Sequence, residues 1–299
     1  MIVALTGATG FLGGHVLQCV LHAGHTVRAL TRKPQPPREG VTWVPGSLDD
    51  EASLLDLCKG AAAMIHVAGI VNGDAAAFDT GNRVGTMEML YAAEASRIER
   101  FVHVSSLAAR EPQLSLYGAS KKAAEDAVVT SMLDWRIVRP PAIYGPGDTD
   151  NLELFRFAKR GVIPLPPKGR MSVIHAEDLA QLIVAMVEGD APENIYEADD
   201  GMPGGWTHKA FADAIGSAVG RRVVTVSLPS ALVRVGASID GLLRGKKAKL
   251  TPDRAAYFCH ADWTIDPAKR PPNEVWTPRI ATAAGLAATA AWYRAQGWL

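Results

Sequence analysis

Three stretches of this 299-residue chain place reactive groups at spacings that suggest chemistry. The first is Tyr117-Gly118-Ala119-Ser120-Lys121. A tyrosine and a lysine four residues apart share one face of a helix. An ammonium beside a phenol favours the phenolate and equips the tyrosine for proton transfer. The second is Val104-Ser105-Ser106, where a serine hydroxyl at a strand end can donate to a carbonyl oxygen while Tyr117 moves the proton. Strand alternation points the two serines to opposite sides, so one of them faces the site; Ser106 is the choice and Ser105 the alternative. The third is Thr6-Gly7-Ala8-Thr9-Gly10-Phe11-Leu12-Gly13, between an apolar strand and an amphipathic helix. Glycines let the backbone turn tightly and approach a pyrophosphate, and the helix offers it free N–H groups. Gly7, Thr9, Gly10, Phe11, Leu12 and Gly13 are the expected contacts to a dinucleotide.

The end of the second strand selects among dinucleotides. A carboxylate there would hold a ribose diol, whereas a cation accepts a 2′-phosphate. This chain has Thr31-Arg32-Lys33 and no carboxylate, so Arg32 predicts NADP(H) in preference to NAD(H).

Positioning these groups requires a sheet. Apolar runs at Ile2–Leu5, Thr26–Leu30, Val41–Val44, Ala62–Val67, Phe101–Val104 and Arg136–Arg139 alternate with helical patterns at 11–23, 51–58, 82–96 and 117–132. Strands without polar alternation, separated by helices, predict an α/β doubly wound parallel Rossmann sheet covered on both faces. After Tyr144 the pattern breaks at Gly145-Pro146-Gly147, then returns as a short strand at 172–174, a helix at 178–188 and a strand at 194–198. From Gly201 the chain reads as mostly helical and holds five of the seven tryptophans. The expected division is a dinucleotide-binding domain of residues 1–147 and 173–199, and a smaller substrate lobe of residues 148–172 and 200–299.

Composition narrows the function. Lys plus Arg and Asp plus Glu each number 31, so there is no basic excess for a nucleic-acid partner. Hydrophobic residues make up 48% and charged residues 21%, the balance of a packed globule. Three scattered cysteines form neither a disulfide framework nor a zinc site, and no metal site is expected, with His22 and His25 read as loop residues. The N-terminus reads as a strand rather than a signal peptide, and no apolar run is long enough for a membrane span, so a cytoplasmic setting is expected.

Taken in order, these motifs resemble the extended branch of the short-chain dehydrogenase/reductase superfamily. The similarity rests on Thr6 to Gly13, Asn82-Arg83-Val84-Gly85-Thr86, Val104-Ser105-Ser106, Tyr117 to Lys121, Arg139-Pro140-Pro141-Ala142-Ile143-Tyr144-Gly145-Pro146 and Ile174-His175-Ala176-Glu177-Asp178-Leu179-Ala180. The resemblance implies a catalytic set of Ser106, Tyr117 and Lys121, with Asn82 steadying a proton-relay water. It also implies that Lys121 binds the cofactor, that Pro140 and Ile143 lie beside the nicotinamide, and that Ala68 and Gly69 run along the cofactor. Ser47 stands where relatives often carry an adenine-contacting aspartate, next to Leu48. Only ten residues separate Ser106 from Tyr117, which shortens one wall of the substrate mouth.

The run from Arg139 to Gly147 resembles the 3β-hydroxysteroid dehydrogenase and dihydroflavonol reductase subgroups. Ala142 and Met171 stand where nucleotide-sugar enzymes carry polar anchors, and Arg170 is one position out of register. The expected activity is hydride transfer between a nicotinamide cofactor and a carbonyl or secondary alcohol of a small apolar molecule. A nucleotide-sugar epimerase or dehydratase with tightly bound NAD is the first alternative, and a non-catalytic dinucleotide sensor the second. The resemblance further implies a homodimer through helices 82–96 and 117–132.

Overall fold

A strand reading Ile-Val-Ala-Leu-Thr is stable where both its faces are covered. In the computed structural model, which describes residues 1–244 and 251–299, this run forms β1 (Ile2–Thr6), and Val3, Ala4 and Leu5 are wholly buried. The chain continues through α1 (Phe11–His22), β2 (Thr26–Thr31), β3 (Val41–Pro45), α2 (Glu51–Cys58), β4 (Ala63–His66), α3 (Ala75–Phe78), α4 (Gly85–Ala95), β5 (Arg100–Val104), α5 (Leu116–Val129) and β6 (Asp134–Arg139). Next come β7 (Ala142–Tyr144), α6 (Leu152–Arg160), β8 (Val162–Leu165), β9 (Arg170–Met171), β10 (Val173–His175), α7 (Ala176–Glu188) and β11 (Ile195–Glu197). The last elements are β12 (Trp206–Thr207), α8 (His208–Val219), β13 (Val224–Ser227), α9 (Ser230–Arg244), α10 (Pro252–Phe258), β14 (Asp262–Trp263) and α11 (Thr282–Ala295).

Seven strands form one sheet in the order β11-β6-β5-β4-β1-β2-β3, with every pairing parallel. This is the doubly wound Rossmann arrangement that the strand–helix repetition predicts. Its direction of winding reverses between β1 and β4, and ligands bind such sheets beyond the carboxyl ends of the strands at that reversal. On one face, Leu54 and Leu57 of α2 and Met89 of α4 pack with Met64, Phe101 and Ile137 of the strands. Each such buried side chain contributes about 1.5–3 kcal/mol.

The chain separates into two units, Met1–Pro140 with Glu177–Ala198 and Pro267–Thr277, and Pro141–Ala176 with Asp199–Asp266 and Pro278–Leu299. The first unit holds the large sheet. Residues 141–147, 173–176 and 199 fall in the second, where β7 pairs with β10 outside that sheet. Residues 267–277 fall in the first. The second unit has its own core of Tyr144, Phe155, Phe211, Leu286 and Tyr293, against which Trp206, Trp292 and Trp298 pack. Those tryptophans therefore serve the core of that unit. Residues 245–250 of the expected lobe lie outside the described residues.

Two helices differ locally from expectation. The stretch expected as one helix from Asn82 opens as a π-helical turn, Asp79–Val84, and becomes α4 only at Gly85. Such wide turns re-aim side chains and recur at functional sites. The helix expected from Tyr117 begins at Leu116, because Ser115 Oγ accepts the Gly118 N–H at 2.9 Å and caps the helix there. It stops at Val129, where the Thr130 and Ser131 hydroxyls donate to the Asp126 and Val128 carbonyls.

Candidate active site

The turn after β1 admits no side chain at two of its glycines. Gly7 has φ +76°, and a Cβ there would lie 2.9 Å from the Ala68 nitrogen. A Cβ on Gly13 would lie 1.9 Å from the Gly7 oxygen. Gly10 heads α1 without any side-chain cap, and Thr9 and Gly10 are exposed. The first N–H groups of α1 are thus left to a ligand, and an anion suits them best. Phe11 is half-buried and meets the His15 ring edge-on at 5.5 Å, while Leu12 is buried. The shape and donor set fit a dinucleotide pyrophosphate.

A hydrogen-bonded chain ties this turn to the crevice. Ala68 N donates to Thr6 Oγ1 at 3.2 Å, Thr6 Oγ1 meets His66 Nδ1 at 2.8 Å, and His66 Nε2 meets Thr86 Oγ1 at 3.1 Å. Thr86 spends its own proton on the Asn82 carbonyl at 2.6 Å, so it accepts from Nε2–H and the Thr6 hydroxyl donates to Nδ1. Burial, with the Lys121 charge adding to it, lowers the His66 pKa to about 3 and keeps the ring neutral.

Beyond the ends of β2 and β3 lies a cavity of about 520 Å³, lined by Thr31, Arg32, Lys33, Trp43 and Ser47 among others. Arg32 and Lys33 are exposed, and among the described residues no carboxylate lines this space. Thr31 Oγ1 donates to the Lys33 carbonyl at 2.7 Å, which fixes the turn carrying Arg32. Ser47 donates to Asp49, and this bond holds the Asp49 carboxyl below its usual range. Leu48 is half-buried against the sheet core, with its Cδ1 2.8 Å from where a Gly85 Cβ would be.

The helix α5 carries Tyr117 and Lys121. Tyr117 is half-buried in its first turn, with its ring 6.0 Å from that of Phe78. Gly118 lets the helix approach the loop after β5, since a Cβ would stand 2.6 Å from the Ala108 oxygen. Lys121 is buried, and its Nζ donates to the Val104 carbonyl at 2.8 Å, immediately before the two serines. Burial lowers its pKa to about 8, against an opposing pull from Glu125. Asn82, from the π-turn, donates to Ser120 Oγ at 2.8 Å and grips both backbone groups of Ile70, at 2.7 and 3.1 Å. Ser120 in turn donates to the Tyr117 carbonyl at 2.8 Å. A Cβ on Gly69 would lie 2.9 Å from Asn82 Oδ1 and 3.9 Å from Lys121 Nζ. Gly69, Asn82, Ser120 and Lys121 therefore meet at one place.

The serines part as alternation requires. Ser105 is buried and its Oγ donates to Glu125 Oε1 at 2.5 Å. Ser106 is half-buried, and its Oγ accepts the Ala108 N–H at 3.2 Å, a bond that leaves its O–H as a donor. Pro140 is buried and its carbonyl accepts from Leu107 N at 2.9 Å, which holds the strand end beside the serine loop. Ile143, in β7, belongs to the second unit, and its carbonyl accepts from Asn151 at 3.0 Å.

Under the site lies a buried ionic cluster. Arg139 grips Glu125 through two bonds of 2.8 and 2.6 Å, and reaches Glu197 at 3.3 Å. Arg110 and Lys269 also approach Glu197, at 3.5 and 3.8 Å. Among the described residues no group of three or more His, Cys, Asp or Glu side chains could hold a metal ion.

Known proteins match this architecture. A model of an NAD(P)H-binding family matches residues 7–190, and a ceramide reductase from Caulobacter vibrioides is 39% identical over 309 residues, covering 100% of this chain and 96% of the relative. The chain belongs to the extended short-chain dehydrogenase/reductase superfamily. A 2-alkyl-3-oxoalkanoate reductase from Stenotrophomonas maltophilia is 27% identical, covering 96% of this chain and 97% of that protein. Among solved structures, MoeE5 in complex with UDP-glucuronic acid and NAD superposes with a TM-score of 0.75 at 18% identity, covering 99% of both chains, a likeness of fold. This member of the superfamily is thus an NAD(P)-dependent oxidoreductase. No helix among the described residues is long and apolar enough to cross a membrane.

Sequence reading gave no role to His66, Thr86, Ser120 or Glu125, although Thr86 and Ser120 stand inside its motifs. Ser120 sits inside the Tyr–Lys motif, three residues after the tyrosine, a spacing at which a hydroxyl reaches back to a backbone carbonyl.

Proposed function

We propose that this enzyme reduces a ketone on a long-chain, lipid-like molecule to a secondary alcohol, with NADP(H) as its cofactor. The observation that carries the reading is Lys121, buried and anchored on Val104 O, one helical turn from Tyr117 and next to the Ser106 strand end. Ser106 donates its hydroxyl proton in a hydrogen bond to the ketone oxygen. Tyr117 gives that oxygen a proton, and the Lys121 ammonium stabilises the phenolate left behind. The dinucleotide, when bound, supplies the hydride to the ketone carbon. Asn82 donates to Ser120 and Ser120 donates to the Tyr117 carbonyl, which supports a role for both in holding the Tyr117 turn beside the proton relay expected at Asn82.

The substrate class is suggested by the names of the two relatives, a ceramide reductase and a 2-alkyl-3-oxoalkanoate reductase. The choice of NADP(H) rests on Arg32 and Lys33 lining a cavity without a carboxylate. The apolar side chains Met87 and Tyr91, exposed on one face of α4, and Val129 on α5 support a homodimer through these helices. A monomer by light scattering would remove that part of the proposal.

Replacing Tyr117 by Phe tests the mechanism. Ketone-dependent NADPH oxidation should fall by about 10²–10⁴-fold, while cofactor affinity stays within about twofold. Turnover retained in the variant would sink the mechanism.

A further inference from the structure

Helix α9 in the second unit turns one face inward, where Val233 and Ala237 pack with Ala255 of α10. Another face carries Leu232, Val235, Ile239 and Leu242, which are 57, 54, 50 and 86% exposed. Their spacing of three, four and three residues puts them in one stripe along the helix. Single exposed apolar residues need no explanation, but an aligned row of four does.

Charge indicates what covers the stripe. Residues 221–258 contain eight Lys or Arg against two Asp, a surplus of six positive charges in a chain whose total is zero. Arg221 and Arg222, just before β13, are exposed. An apolar stripe within a locally cationic region is the pattern of a helix that lies in the interface of an anionic bilayer. At 15 residues α9 is too short to cross a bilayer.

We propose that α9 docks this enzyme on the surface of a membrane rich in anionic lipid, with Leu232, Val235, Ile239 and Leu242 inserted among the acyl chains. The proposal needs no assignment in the active site, and its test does not read turnover.

The full chain is floated with vesicles of phosphatidylcholine containing about 30% phosphatidylglycerol, and separately with pure phosphatidylcholine. Wild type should float with the anionic vesicles and several-fold less with the neutral ones. The quadruple variant Leu232→Ser, Val235→Ser, Ile239→Ser, Leu242→Ser should lose roughly tenfold or more of that partitioning. Leu242→Glu alone should lose several-fold, and its site is so exposed that folding is spared. Dinucleotide binding and circular dichroism report the fold of each variant. Failure of wild type to float, or equal flotation of folded variants, overturns the proposal. So does a wild-type dimer that the Leu242→Glu variant dissociates with no vesicle binding by either, which would assign the stripe to a second copy of the chain.

Discussion

Glu125→Gln probes the link between the buried cluster and Lys121. The Glu125 carboxylate and the Arg139 guanidinium are 1 and 5% exposed and share two hydrogen bonds. Removing one partner of such a pair leaves an uncompensated buried charge and costs about 3–5 kcal/mol. Glutamine can still accept one bond, and Arg139 keeps Glu197 at 3.3 Å, so the lower end of about 3 kcal/mol applies. At about 2–4 °C per kcal/mol, the unfolding midpoint of the sheet unit should fall by roughly 6–12 °C at pH 7. A second readout is catalytic. Lys121 is cationic below its pKa of about 8, so activity that needs the ammonium is present below that pH and lost above it. Glu125 is what pulls this pKa upward against burial, and without its charge the alkaline limb of kcat/KM should move to lower pH. Thermal unfolding followed by circular dichroism and initial rates across pH 6 to 10 measure the two effects. A midpoint within about 1 °C of wild type would refute the energetic argument. An unmoved alkaline limb would refute the coupling to Lys121.

Three further substitutions test separate parts of the site. Gly13→Ala places a methyl 1.9 Å from the Gly7 oxygen, and it should weaken dinucleotide binding about tenfold or more by nicotinamide fluorescence titration; unchanged affinity would show that the turn has slack. Arg32→Ala should raise the KM for NADPH roughly tenfold while NADH stays within about twofold, and an equal change in both would remove the 2′-phosphate contact. His103 is wholly buried, its ring nitrogens have no hydrogen-bond partner among the described residues, and burial holds its pKa well below the usual histidine value. His103→Leu removes that unmet demand and should raise the unfolding midpoint by a few degrees, whereas a clear fall would mean that the imidazole is paired in solution.

The sheet was legible because its evidence is local. Runs such as Ile2–Leu5 and Phe101–Val104 carry no polar alternation, and the strands they form begin or end within about a residue of those runs. The two serines were separable for the same reason, since a period of two sends Ser105 to Glu125 and leaves Ser106 on the other side. Glu125 was not legible as a hub, because its partners Ser105 and Arg139 come from different strands and meet it only in the folded sheet. The π-turn at Asp79–Val84 escaped because its residues keep a helical pattern, and the partners of its Asn82, Ile70 and Ser120, lie 12 and 38 residues away. The division at Pro140 was also hidden, since β7 is as apolar as a sheet strand yet pairs with β10.

The strand order has a consequence for how the protein is made. Strand β1 is made before the other six strands of the sheet and lies inside it. Each later strand joins an open edge: β2 and β3 on one side, then β4, β5, β6 and β11 on the other. No strand has to be threaded between two that are already paired, so the sheet can grow in the order of its synthesis. Residues 267–277, with Lys269 bound for Glu197, arrive long after β11. Until they do, Glu197 has its two arginines but not its lysine, and the cluster beneath the site gains that third cation only when this later segment docks.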